Sequence, residues 1–285
     1  MAELRVVPFK TRLRVSVGDV IQREGILIEG PAGWGECSPL PSWSEEERAA
    51  AKRAAIEAAT EPFPEGVRAR VEVNTMVPRV SPEQAARMAV ESGCDTIKIK
   101  VGDAASVERV HAVRDALPKA KIRLDANGSW DPDTAGIFLA QVRGLDIELI
   151  EDPVSTMEEM ARFRRGSAVL IAAESCVRTV EDAKMLRKLE AADVIVIKPQ
   201  RIGGARAALD AAEEAHVPAI ASSALETSVG LAMVAAVAAA LPDSPFAHGV
   251  GTAGLLERDV TSRPLVPEHG VLEPRRVVPD LVSDG

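Results

Sequence analysis

The sequence predicts an α/β protein: a small α+β cap over residues 1–70, a (β/α) barrel of the TIM type over 71–258, and a tail, 259–285, that packs back on the cap. Three observations predict it. From about residue 71, short β-branched runs alternate with Ala-rich amphipathic stretches of helix length, with about 20–25 residues from strand to strand. Successive βα units imply parallel strands joined by right-handed crossovers. The first of these strands leads into VNTMVPRVSPEQ, which lacks the G-x-G-x-x-G of a dinucleotide-binding open sheet, so the closed barrel is favoured over the doubly wound sheet.

In the cap, LRVSVGDVIQREGILIEGPAGWGECSPLPSWSEEE reads as antiparallel strands and turns, followed by an Ala-rich helix over about 44–60. EPFPEGV (61–67) reads as a linker. The barrel strands are VEVNTMV (71–77), DTIKIKV (95–101), KIRLDAN (121–127), DIELIED (146–152), AVLIAAE (168–174), DVIVIKP (193–199) and PAIASSA (218–224). Helices fill the gaps. SPEQAARMAVESG opens on a Ser cap, and DPDTAGIFLAQVRG has Asp caps and a closing Gly. TVEDAKMLRKLEA, GGARAALDAAEEA and SVGLAMVAAVAAA continue the pattern.

The bulk properties narrow the function classes. At 285 residues, 46% hydrophobic and 27% charged, the chain is long enough for a large core and has a globular composition. Its longest apolar run, VGLAMVAAVAAALP, falls short of the roughly 18–20 residues of a membrane span, and MAELRVVPFK has no signal-peptide core. A cytoplasmic protein with no membrane partner is expected. A net charge of −9, without a basic cluster interleaved with aromatics, argues against a nucleic-acid partner. Cys37, Cys94 and Cys176 are isolated and read as reduced, structural residues. No sequence signal speaks to oligomeric state.

The chemistry sits at the strand ends. In a barrel, alternate strand residues point inward and active sites form at the C-terminal ends of the strands. T-I-K-I-K places Lys98 and Lys100 on one face; Asp125, Glu151, Glu174 and Lys198 end the next four strands. Each alone has a plain structural reading, as a solvated lysine or a turn or helix cap. Together, the acids recur about every 23–26 residues, which sets three carboxylates on neighbouring strands with lysines on both flanks. Three converging carboxylates repel unless a cation lies among them, and hard oxygen ligands select Mg²⁺, or Mn²⁺, over zinc. The histidines at 111, 216, 248 and 269 show no ligand spacing. Such a site suits a small-molecule carboxylate substrate. One lysine, kept neutral by the neighbouring cations, removes the proton α to the carboxylate. A Schiff-base aldolase has no need of the three acids, and a non-catalytic barrel has no need of the set.

T-I-K-I-K, R-L-D-A-N-G-S-W, I-E-D-P and V-I-K-P-Q-R-I-G-G, in this order, resemble the enolase superfamily, muconate-lactonising subgroup, over almost the whole chain. The resemblance implies a modified (β/α)7β barrel with Lys100 as base, Lys98 as its tuning neighbour and Lys198 as the opposite lysine. It implies Asp125, Glu151 and Glu174 as Mg²⁺ ligands. REGILIEGPAGWGECSPLPSWSEE, SSALETSVG and the short chain resemble the dehydrating members of the subgroup. These imply a carbon–oxygen lyase that converts 2-succinyl-6-hydroxy-2,4-cyclohexadiene-1-carboxylate to 2-succinylbenzoate, on the way to menaquinone. An N-acylamino acid racemase or dipeptide epimerase is the alternative, because it uses the same lysines.

The third acid motif departs from the usual D-E-S, since Ala173-Glu174-Ser175-Cys176 stands there. A gapless match sets Glu174 at the ligand position; a one-residue deletion would set it at the second acid. Ser222 and Ser223 are expected to bind the succinyl carboxylate, the glycines of HGVGTAG (248–254) to offer N–H groups, and the loop from Val15 to Arg23 to close over the site.

Overall fold

The cap begins with a long antiparallel pair, β1 (Arg5–Val17) and β2 (Val20–Gly30), extended by β3 (Gly33–Cys37). Helix α1 (Glu45–Thr60) packs an alanine face on this sheet. It starts at a capping box in which Ser44 and Glu47 satisfy each other's backbone N–H groups, as S-x-x-E dictates. The computed structural model describes residues 4–242 and 245–282.

β4 (Val71–Glu72) and β5 (Asn74–Val77) open the second unit, followed by α2 (Pro82–Ser92), β6 (Thr96–Lys100) and α3 (Ser106–Ala116). Next come β7 (Lys121–Asp125), α4 (Pro132–Gln141), β8 (Ile147–Glu151), α5 (Met157–Arg164), β9 (Leu170–Ala173) and α6 (Val180–Leu189). The unit ends with β10 (Val194–Ile197), the one-turn α7 (Pro199–Ile202), α8 (Ala205–Ala215), β11 (Ala219–Ala221) and α9 (Ser228–Ala240). Strands β5 to β11 form one parallel sheet in sequence order. His248 and Gly249 bridge both its edges, pairing in parallel with Val73 and with Ser222. These two residues close the barrel as an eighth stave.

Strand alternation sorts the side chains. Ile97, Ile99, Ile122, Leu124, Ile150 and Ile171 face the helices. Leu149, Ala172, Val194, Val196 and Ile220 fill the barrel with Phe246 beside them. Above this apolar floor the inward positions become ionisable. After a short 3-10 turn (Thr252–Leu255), the tail adds β12 (Val271–Leu272) antiparallel to β4, and Arg276 donates to the carbonyls of Ala58 and Glu61. The described cysteines are all free thiols. No helix among the described residues is long and apolar enough to cross a membrane.

Cap and barrel meet at a buried polar junction. Helix α9 is buried along all but its last residue, so its N-terminal N–H groups need protein partners. Asp259 takes the Ser228 N–H and the Thr227 hydroxyl that of Val229, while Glu36 of β3 accepts from the Thr227 and Gly230 N–H groups, the Thr227 hydroxyl and the Ser38 hydroxyl. Gly230 permits this approach, since a Cβ there would lie 3.0 Å from Glu36 Oε2. Arg23 donates to the Leu225 and Ser38 carbonyls, and Gln200 bridges Ser38 and Glu226.

Candidate active site

β6 and β7 pair in register with Lys98 beside Arg123 and Lys100 beside Asp125, and β8 sets Glu151 beside Asp125. Glu174 follows β9 and Lys198 follows β10 by one residue. The structure thus brings Lys98, Lys100, Asp125, Glu151, Glu174 and Lys198 to one end of the barrel. Lys98 Nζ lies 2.8 Å from Asp125 Oδ2 and 2.7 Å from Glu151 Oε1. Lys100 Nζ donates to Asp125 Oδ2 at 2.7 Å and to Asn127 Oδ1 at 2.9 Å. Across the barrel Lys198 Nζ donates to Glu174 Oε2 at 2.6 Å.

The electrostatics follow from burial plus pairing. Asp125, Glu151 and Glu174 are each at most 5% exposed. Burial opposes the ammonium of Lys98, but the charges of Asp125 and Glu151 outweigh it and push its pKa up. Burial would likewise raise Asp125, yet Lys100 and Lys98 hold it well below the usual carboxylate range. Glu174 is also held low, with Lys198 and then Arg201 overcoming its burial. Glu151 rises, because burial and its acidic neighbours prevail over Lys98.

Among the described residues, Glu151, Asp152 and Glu174 bring acidic oxygens within 4.8 Å of one another. Asp152 is committed elsewhere: its carboxylate accepts the N–H groups of Glu174 and Ser175, both at 2.9 Å, and so clamps the turn that carries Glu174. Burial, then Glu174 and Glu151, push Asp152 up to about 7 against those two bonds. The donor set that faces the lysines is Asp125, Glu151 and Glu174. It fits a hard divalent cation, because the acids are buried oxygen donors and two of them already converge on a positive charge, the Lys98 ammonium.

A cavity of about 450 Å³ lies above this layer. Lys98, Lys100 and Lys198 line it, as do Ser222 and Ser223. The Ser223 hydroxyl is engaged with Thr252 Oγ1 and the Leu225 N–H. Val17, Gly18 and Val20, at the tip of the β1–β2 hairpin, also line it, whereas Arg23 of the same stretch is buried in the junction. The expected N–H of Gly249 is already spent on the Ala221 carbonyl that closes the barrel.

Two groups escape the reading of strand ends. Arg201 donates from Nη1 to Glu174 Oε1 at 2.8 Å and from Nε to Glu47 Oε1 at 2.6 Å. Its signal was only its place three residues after Lys198, on the same short turn. Glu47 belongs to the cap, and the capping box is all that its local sequence reveals.

A capped barrel with carboxylates between facing lysines at its strand ends defines an enolase-like enzyme scaffold. Models for the enolase N-terminal domain-like and enolase C-terminal domain-like families match residues 6–59 and 81–280. The chain is 47% identical over 277 residues to the o-succinylbenzoate synthase of Thermobifida fusca, covering 95% of this chain and 86% of that one. The chain belongs to the o-succinylbenzoate synthase family of the enolase superfamily. The dipeptide epimerase of Enterococcus faecalis, complexed with Mg and the dipeptide L-Leu-L-Tyr, shares the fold at a TM-score of 0.83 and 23% identity, over 99% of each chain. So does the muconate lactonizing enzyme of Pseudomonas fluorescens, at 0.84 and 19%, over 99% of this chain and 95% of that one.

Proposed function

We propose that this chain dehydrates 2-succinyl-6-hydroxy-2,4-cyclohexadiene-1-carboxylate to 2-succinylbenzoate, with Mg²⁺ held by Asp125, Glu151 and Glu174. The observation that carries the reading is that Lys100 and Lys198 line one cavity from opposite flanks of a buried carboxylate layer. Kinship with the Thermobifida fusca synthase supplies the substrate. A bound Mg²⁺ supplies positive charge where negative charge builds on the substrate carboxylate.

Lys100 takes the proton from the carbon that bears the carboxylate. The C–H electron pair moves into the ring, the neighbouring C–O bond breaks, and Lys100 returns its proton to the departing hydroxide as water. Lys98 is bonded to both Asp125 and Glu151 beneath the cavity, whereas Lys100 stands one inward position nearer the strand end, beside Asp125 and Asn127. Lys198 stands across the ring as a stabilising cation. Arg201 and Asp152 hold Glu174 from its side chain and its backbone.

The test is turnover of the cyclohexadiene substrate with and without Mg²⁺. Folded protein supplied with Mg²⁺ that forms no 2-succinylbenzoate refutes the reading. Lysines on facing flanks also suit a two-base racemisation, so exchange of the α-proton of N-acylamino acids and dipeptides is assayed in parallel; exchange without dehydration assigns the site to that reaction instead.

A further inference from the structure

The substrate of the proposed dehydration carries two carboxylates, and the layer of lysines and acids accounts for one. The cavity wall shows where the second can go. Four cations line it: Lys98, Lys100, Lys198 and Arg79. Each lysine is paired with a carboxylate beneath it. Among the described residues, Arg79 is the only cation lining the cavity that makes no ion pair. No aspartate or glutamate lines the cavity; the acid that feels the charge of Arg79 is Asp103, which is ion-paired with Arg109.

Arg79 lies in the loop between β5 and α2, at the cavity rim. Its Nε and Nη2 donate to the Val101 carbonyl at 3.1 and 2.7 Å, which fixes the plane of the guanidinium. Nη1 has no partner among the described residues. Ser129 lines the cavity as well, and its hydroxyl lies against the same face of Gly102 as Arg79 Nη2. A Cβ on Gly102 would lie 2.7 Å from Ser129 Oγ and 2.9 Å from Arg79 Nη2, so only glycine, here at φ +102°, leaves the lane between these groups open. Arg79 and Ser129 are both exposed at the rim, so a carboxylate entering the cavity meets a guanidinium oriented by the Val101 carbonyl, with a hydroxyl near it.

The opposite wall is the weaker candidate. Ser223 is engaged with Thr252 and Leu225, which leaves Ser222 as a neutral hydroxyl. A carboxylate moved from water into a cavity gains more from an unpaired cation than from one hydroxyl.

We propose that Arg79, assisted by Ser129, binds the distal carboxylate of the dicarboxylate substrate and so sets the preference for diacids over monoacids. The proposal rests on the dehydratase reading and names its specificity-determining residue.

The experiment is a cycle of calorimetric affinities in the presence of Mg²⁺. The ligands are 2-succinylbenzoate and its analogue with a primary amide in place of the distal acid. The proteins are wild type, Arg79→Gln, Arg79→Lys and Ser222→Ala. Arg79→Gln is expected to weaken 2-succinylbenzoate by about 10-fold or more and the amide by less than about 3-fold. Arg79→Lys is expected to recover part of the loss for the diacid alone. Equal losses for both ligands mean that Arg79 acts only through the Val101 carbonyl, and they overturn the proposal. A diacid-selective loss in Ser222→Ala, with none in Arg79→Gln, also overturns it. Wild-type protein that neither turns over the cyclohexadiene nor binds its product refutes the dehydratase reading itself. Normal turnover without selectivity at Arg79 removes only the carboxylate assignment.

Discussion

Two buried polar clusters lie at the top of this barrel and solve the same problem in opposite ways. At the strand ends, buried carboxylates meet ammonium groups: Asp125 and Glu151 share Lys98, and Glu174 takes Lys198 and Arg201. At the junction with the cap, Glu36 is hydrogen-bonded only by neutral donors, two backbone N–H groups and two hydroxyls, with the buried Arg23 guanidinium acting on it without a direct bond. Burying charge is costly in both places. Opposing charges leave a cluster whose members can exchange protons and partners with whatever enters the cavity. Neutral donors fixed to a helix end and a turn leave nothing to exchange, and the result is a joint. The contrast separates a site that works from one that holds.

The largest expected effect tests the working cluster. Lys100→Ala should lower kcat by roughly 10³-fold or more, the upper part of the range for a general base, while the circular dichroism spectrum and thermal midpoint stay close to wild type. Retained turnover would remove Lys100 from the role of base. The holding cluster should answer the other way. Glu36→Ala strands the Thr227 and Gly230 N–H groups at the start of α9 and should cost about 2–4 kcal/mol in denaturant unfolding, while the molecules that remain folded keep their turnover. A loss of turnover without a loss of stability would merge the two clusters into one.

A smaller effect is expected where a cap carboxylate meets the arginine that holds Glu174. Glu47 reaches Glu174 through Arg201, and it also pairs with Arg178, which bonds the Ser175 carbonyl. Glu47→Ala should raise the Mg²⁺ concentration for half-maximal turnover by about 10–100-fold, the usual scale for a group that orients a metal ligand. The isothermal Mg²⁺ affinity should fall in step. An unchanged affinity would show that Arg201 holds Glu174 unaided.

The smallest is a pH effect at the joint. Burial raises Glu36 to about 7, against the bonds from Ser38 and Thr227. Its pKa is higher folded than unfolded, so the folded state binds more protons between about pH 4.5 and 7, and stability falls as pH rises through that window. Its contribution is whole below about 4.5 and gone above about 7. Glu36→Gln has no such proton, so the stability of wild type relative to this variant should decline from pH 5 to pH 7. A flat difference would mean that the four donors hold Glu36 as an anion.

The legible part of the molecule is the part written in short-range pattern. Alternation within T-I-K-I-K, K-I-R-L-D and I-E-L-I-E assigns each ionisable residue a face, and helix caps at Ser81, Asp131 and Thr179 place the turns between strands. The eighth stave was not legible, because two residues, His248 and Gly249, have no period to read; a Gly-rich loop is what their neighbourhood resembles. The contacts that set the third acid were hidden for a different reason. Arg201 and Glu47 are 154 residues apart, and nothing local in either predicts the other. Asp152 follows Glu151 directly, yet at a positive φ of 44° its carboxylate bonds the next turn's backbone, a role no local pattern announces. The Glu36 joint depends on which helix end is fully buried, a property of the assembled fold.

The Glu36–Gly230 bond spans 194 residues. At a synthesis rate of about 5–20 residues per second, roughly 10–40 s pass between the emergence of this carboxylate from the ribosome and that of the helix end that receives it. For that interval the nascent sheet must keep an acid meant for burial in water, and the last helix, once made, finds its first turn completed by one of the oldest parts of the chain.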